Sequence, residues 1–156
     1  MVFKFIRDQY PQARFKRIYD ADTDGWKKDD FHRSCNYKGW TLTIVKTTFD
    51  FVFGGFTKAP WESSSIYHTD QHSFMFSVNE GSKYPITGGD RLAIGCYSGY
   101  CALFGANGDE VTIMSDSNIN NDSWCKADLP SFKLPVGKGQ GFEKDSSSIN
   151  GGKVNF

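Results

Sequence analysis

Acidic, histidine and cysteine side chains fall at three spacings in this chain that could carry chemistry. Asp20, Asp22, Asp24 and Gly25 reproduce the opening of a calcium-binding loop, where alternate oxygen ligands precede a sharp glycine turn. The twelfth position of such a loop takes a bidentate Glu, and here it is Phe31; the apolar eighth position is Lys27. An acidic turn is the better account. His68, Asp70 and His72 alternate, which on one strand would align three ligands on a face. Thr69, Asp70 and Gln71 read instead as the loop before Phe74, and loops do not enforce that alignment. His32 and Cys35, with Cys96 and Cys101, supply zinc-ligand types, but the spacing from Cys96 to Cys101 is looser than that of zinc fingers. Cys35 falls on the apolar side of a helix and Cys96 on the apolar face of a strand, so both read as small core residues.

Nucleophilic chemistry has its residue types in the serines 63–65 beside Glu62, His68 and Asp70, without the nucleophile-elbow pattern. Cys101 beside Tyr100 could serve as a redox thiol, although no neighbour in sequence would lower its pKa. The glycine pairs at 54–55, 88–89 and 151–152 do not follow a strand into a helix, as a phosphate loop requires. No catalytic residue, metal or cofactor is assigned. A redox or metal-dependent enzyme using Cys101, or His68 with Asp70 and His72, stays as the alternative. The stretch 58–67 offers a different function. Trp61 and Tyr67 stand there with Glu62 and Ser63, and aromatics on a rigid scaffold anchor protein interfaces. These four are the candidate partner-binding residues. Equally, Trp61 could tuck under the scaffold as a cap.

The elements that must position these residues are strands. Leu42 and Ile44 share a face in Thr41–Lys46, and Phe49, Phe51 and Phe53 share one in 49–53. Phe74, Phe76 and Val78 point in, with Met75 and Ser77 out. This period-two alternation is that of half-buried antiparallel strands. Residues 15–19 read as a first strand, and Lys28–Cys35 as a helix with Asp29 and Asp30 in its first turn. Phe31 and Cys35 share its buried face. The stretch 79–90 reads as a loop, and Leu92, Ile94 and Cys96 as another strand. The segments 100–104 and 110–114 flank Asn107-Gly108, a strong hairpin signal. Pro135 places 132–136 at a sheet edge, 137–152 is a Gly/Ser loop, and Val154 and Phe156 open a last strand. The expected fold is mainly β, an antiparallel sandwich with one or two short helices. An N-terminal arm, 1–14, broken by Pro11, precedes a single domain over 15–156.

With 18 basic and 18 acidic residues, the chain offers no electrostatic case for nucleic acid or an anionic membrane as its main partner. No apolar run approaches the roughly 18–20 residues a membrane span needs, and the charged N-terminus is no secretory signal. Four dispersed cysteines then suit a reducing, cytoplasmic compartment.

Several of these segments together resemble the TLDc domain. Ile18-Tyr19 stands for its Leu-Tyr strand, Asp24-Gly25 for its turn, and Phe31-His32 with Cys35 for its Phe-His-x-x-Cys helix. Lys38-Gly39 through Lys46 matches its Lys-Gly-Pro-Thr-Leu strand, with Trp40 in place of the Pro. Phe53, Gly54, Gly55 and Phe56 with Trp61, and then Asp70 with Phe74, Phe76 and Val78, follow in the same order. The match is densest over 15–78 and continues through Ala93-Ile94, Phe104-Gly105 and Ser123-Trp124. The family closes on a Glu-Val-Phe strand that is expected to be missing or truncated here, leaving a sheet edge unpaired. The resemblance implies a β-sandwich and a non-enzymatic interaction module. It also implies binding to the vacuolar-type proton-pumping ATPase and a role in oxidative-stress resistance. A structural part in another large assembly, such as a cytoskeletal one, is the alternative.

Overall fold

The computed structural model of the protein describes residues 2–48, 50–87, 92–105, 111–120, 122–125 and 131–132. Among the described residues three short helices come first: α1 (Val2–Arg7), α2 (Ala21–Asp24) and α3 (Lys28–Cys35). Nine strands follow among the described residues: β1 (Thr41–Lys46), β2 (Val52–Thr57), β3 (Ile66–Thr69), β4 (Phe74–Ser77), β5 (Ser82–Pro85), β6 (Leu92–Cys96), β7 (Leu103–Phe104), β8 (Val111–Thr112) and β9 (Trp124–Cys125). They build two antiparallel sheets, ordered β1-β2-β4-β5 and β3-β6-β7-β8-β9. The protein is therefore mainly β, a sandwich of two sheets with few short helices, as the alternation predicts.

Where the structure departs from the sequence reading, the cause is a second covered face. Between the sheets lies a core of Phe53, Met75 and Tyr84 from one side and Ile94, Cys96 and Phe104 from the other, closed by Phe31 and Cys35 of α3. On the opposite face of the first sheet, Val2 and Ile6 of α1 cover Phe56, Phe74 and Phe76. Met75 thus points to the main core, and the phenylalanines either side of it point to α1. All four side chains of β4 are buried. The arm does carry a helix, ending before Pro11. In β1 it is Val45 that packs on the main core, while Leu42 joins the α1 cluster and Ile44 stays exposed.

Three further expectations are corrected. Residues 13–20 form no strand; Asp20 instead caps α2, its carboxylate accepting from the Asp22 amide at 3.2 Å. The strand expected at 49–53 starts later, because Asp50, in a left-handed conformation, and the Thr47 hydroxyl, which accepts from the Phe51 amide, build a turn there. Two stretches read as loops, 66–69 and part of 79–90, contain the strands β3 and β5. The pairing of β7 with β8 agrees with the expected hairpin, whose Asn107-Gly108 turn lies outside the described residues. Also outside them are Phe49, the 88–89 glycines, Pro135, the Gly/Ser loop and the expected last strand.

Gly54 and Gly55 sit inside β2, where two neighbours come close. A Cβ on Gly55 would lie 2.4 Å from the Phe104 ring of the facing sheet, and one on Gly54 would lie 1.9 Å from the Thr43 carbonyl oxygen. Glycine here permits close approach.

Candidate functional site

The connection from β2 to β3 turns on Trp61. Its indole is 1% exposed, with ring edges against Phe31 at 5.6 Å and Phe104 at 5.4 Å. Its Nε1–H donates to Thr41 Oγ1 at 2.9 Å, and its carbonyl accepts from the Tyr37 amide. The expectation of an exposed anchor is thereby corrected. A buried hydroxyl meets the one polar atom of the indole, so nothing draws the ring to the surface. Trp61 is the cap.

Beyond it the chain surfaces. Ser63 is exposed and accepts from Asn36 Nδ2 at 3.2 Å. Glu62 Oε1 accepts from Ser64 Oγ at 2.8 Å and meets His68 Nε2 at 2.6 Å. Those two bonds, that from Ser64 foremost, hold the Glu62 carboxyl below its usual range. The serine hydroxyl is thus bonded to the carboxylate instead of to the imidazole, which is not how a base activates a nucleophile. Tyr67 is half-buried and opens a row of edge-to-face rings that continues through Tyr97 and Tyr100 to Trp124.

The constellation of His68, Asp70 and His72 separates. His68 turns to Glu62, and His72 Nδ1 lies 3.2 Å from the Tyr10 hydroxyl. Asp70 is buried; its Oδ2 accepts from Thr57 Oγ1 at 2.9 Å and the Lys58 amide at 2.6 Å, and its Oδ1 from the His72 amide at 2.9 Å. His32, also buried, bridges the Tyr100 carbonyl and Asn36, both at 2.9 Å. Burial pushes the Cys35 and Cys101 thiols up to about 12, and that of Cys96 up to about 11. Such thiols are poor nucleophiles at neutral pH.

What sequence reasoning missed is an apolar groove of about 820 Å³ between residues 14–20, which lie outside helix and strand, and β1. Phe3, Phe15, Ile18, Trp40 and Ile44 are exposed large apolar residues along it. Among the described residues β1 pairs only with β2, so its other edge is open. At one end Trp40, 54% exposed, packs against Tyr10 with ring centroids 4.9 Å apart. The Lys58 ammonium lies 4.1 Å from the Trp40 ring centre and 4.5 Å from that of Tyr10. Trp40 in place of Pro was the available signal, because a Trp in a turn has no core face to occupy.

Comparison with known proteins gives one family and a set of related chains. The sequence profile of the TLDc domain matches residues 1–144. The protein called MTOR-associated protein MEAK7 is 40% identical over 66 residues in Danio rerio, 42% of this chain and 15% of that one. Its Gallus gallus counterpart is 29% identical over 92 residues, and that of Xenopus laevis 27% over 92. Each of these two matches takes in 57% of this chain and 17% of the relative, so the chain spans about a sixth of these relatives.

Proposed function

The chain belongs to the TLDc domain family, and from that premise we propose that it is a docking module of a large protein assembly and not an enzyme. One observation carries the reading: an apolar groove runs beside a strand edge that is open among the described residues. An extended partner segment laid there gains main-chain hydrogen bonds from β1 and side-chain pockets from Phe15, Ile18, Trp40 and Ile44. The surface formed by the exposed Ser63 and the half-buried Glu62 and Tyr67 is a second contact region, with Trp61 beneath it as support. The partner we favour is the cytoplasmic part of the vacuolar-type proton-pumping ATPase, with oxidative-stress resistance as the consequence of that docking. The name borne by the relatives favours a second reading, in which the assembly contains mTOR.

Affinity capture of the intact protein from its own cells, with quantitative identification of bound proteins, tests this. Trp40→Ala and Ile44→Lys alter exposed side chains, so their folding can be checked before capture. Loss of proton-pump subunits with either variant is expected. Capture unaffected by both variants removes the groove, and mTOR-associated proteins captured in place of the pump exchange the partner. Trp61→Ala is a poor probe, because it would unfold the site it was meant to report on.

A further inference from the structure

Three donors of different chemistry converge at the flank of the second sheet. The ligand atoms of Glu62, His68 and Cys96 all lie within 4.8 Å of one another, the one such group among the described residues. They come from three pieces of chain: the loop after Trp61, the edge strand β3, and the end of β6. Backbone pairing brings them together. The Ser65 amide, in a left-handed turn, donates to the Cys96 carbonyl at 2.9 Å. The register Ile66↔Cys96 and His68↔Ile94 then sets His68 diagonal to Cys96 on the inward face. Because β3 pairs only with β6 among the described residues, that inward face opens at the flank. The side chains of His68 and Glu62 are 26% and 19% exposed, so an ion can enter from solvent, while Cys96 is fully buried beneath.

We propose that Glu62, His68 and Cys96 hold a zinc ion, with water in the fourth position on the solvent side. Carboxylate oxygen, imidazole nitrogen and thiolate sulfur are the three donor types that zinc accepts together. Zinc bonds of about 2.0–2.3 Å separate tetrahedral donors by roughly 3.3–3.6 Å. The His68–Glu62 contact at 2.6 Å therefore opens by roughly 0.7–1.0 Å, while Cys96 Sγ, within 4.8 Å of both other donors, is already near bonding range. On binding, zinc ionises the Cys96 thiol and its proton leaves to solvent. Carboxylate and thiolate together then neutralise the dication, so no net charge is left at the edge of the core. Cys96 Sγ makes a weak contact at 3.6 Å to the Pro60 carbonyl, which zinc displaces, and the Glu62 backbone amide also faces the sulfur and favours its thiolate. Ser64 Oγ, bonded to Glu62, orients the carboxylate from outside the coordination shell. The ion would clasp the loop 62–65 to β3 and β6, across a flank where the described strands give β3 one partner.

The test is metal binding by the intact, reduced chain. Stripped of metal, it is titrated with zinc against a chromophoric chelator, and separately with cobalt. One zinc per chain and a near-ultraviolet sulfur-to-cobalt absorption are expected. His68→Gln should weaken zinc binding by roughly 100-fold or more, and Ser64→Ala by about tenfold. Cys96→Ser should abolish the absorption, and Cys101→Ala should leave it. Since Cys96 is in the core and an unfolded variant would also lose metal, the partly exposed His68→Gln is decisive. No zinc retained at micromolar free metal overturns the proposal. So does binding undiminished in His68→Gln, or cobalt bound without the sulfur absorption.

Discussion

Asp70 uses both carboxylate oxygens within the protein, accepting from Thr57, Lys58 and His72. Removing them strands one hydroxyl and two amides near the core, and each unsatisfied buried donor costs about 1–3 kcal/mol. Asp70→Ala is expected to lower stability by about 2–4 kcal/mol, read as a lower urea midpoint with an unchanged slope. Asp70→Asn keeps one acceptor oxygen and should lose less. The thiols behave in the opposite sense to a paired carboxylate. Burial raises Cys35 and Cys101 from 9.0 to about 12, so the folded chain keeps protons that the unfolded chain releases above pH 9. Stability from these groups is complete below pH 9 and falls as pH rises toward 12. At neutral pH, alkylation of either thiol in the folded chain should be at least about 100-fold slower than in denaturant, by mass mapping of each cysteine. Rapid native labelling of Cys101 would restore the redox-enzyme reading. Sequence offered part of this: two cysteines on apolar faces pointed to buried thiols. The carboxylate of Asp70, which follows β3 and is reached from Thr57 at the end of β2, has no local signature.

At the scale of elements, α3, β1, β4 and β6 were legible because each carries its own period and its own stops. β3 and β5 were not. Each is four residues long, and their hydroxyl, Lys, Tyr and Pro side chains resemble loop composition; pairing with β6 and β4 makes them strands. The face of β4 was misassigned for a different reason. Alternation gives a period but not a direction, and only α1, folding back over the sheet, decides that Phe74 and Phe76 face away from Met75. The same limit hid the meaning of the glycines in β2. A side chain on Gly55 must displace the Phe104 ring, and one on Gly54 must displace backbone. Gly55→Ala should cost about 1–3 kcal/mol, as overpacking does, and Gly54→Ala more, because a carbonyl cannot rotate aside. Equal tolerance of both changes in thermal melts would contradict this packing.

For the whole molecule, the family and sandwich class were readable in ordered segments spread over half the chain, while the candidate surface was not. A groove is a relation between two segments, here 14–20 and β1, neither of which carries a periodic signal for it. The α1 cover over the first sheet has a further consequence, one of timescale. With α1 on one face and the second sheet on the other, β2 and β4 are shielded above and below, while β1 and β5 stand at the sheet margins. Fraying of α1 or of a margin strand leaves the β2–β4 ladder intact. Amide protons of Gly54 and Phe76, which face each other in that ladder, should therefore exchange with deuterium only through global unfolding, and those of β1 through smaller openings. Measured across the chain, exchange would rank the strands by distance from that ladder, a clock set by layering and not by strand length.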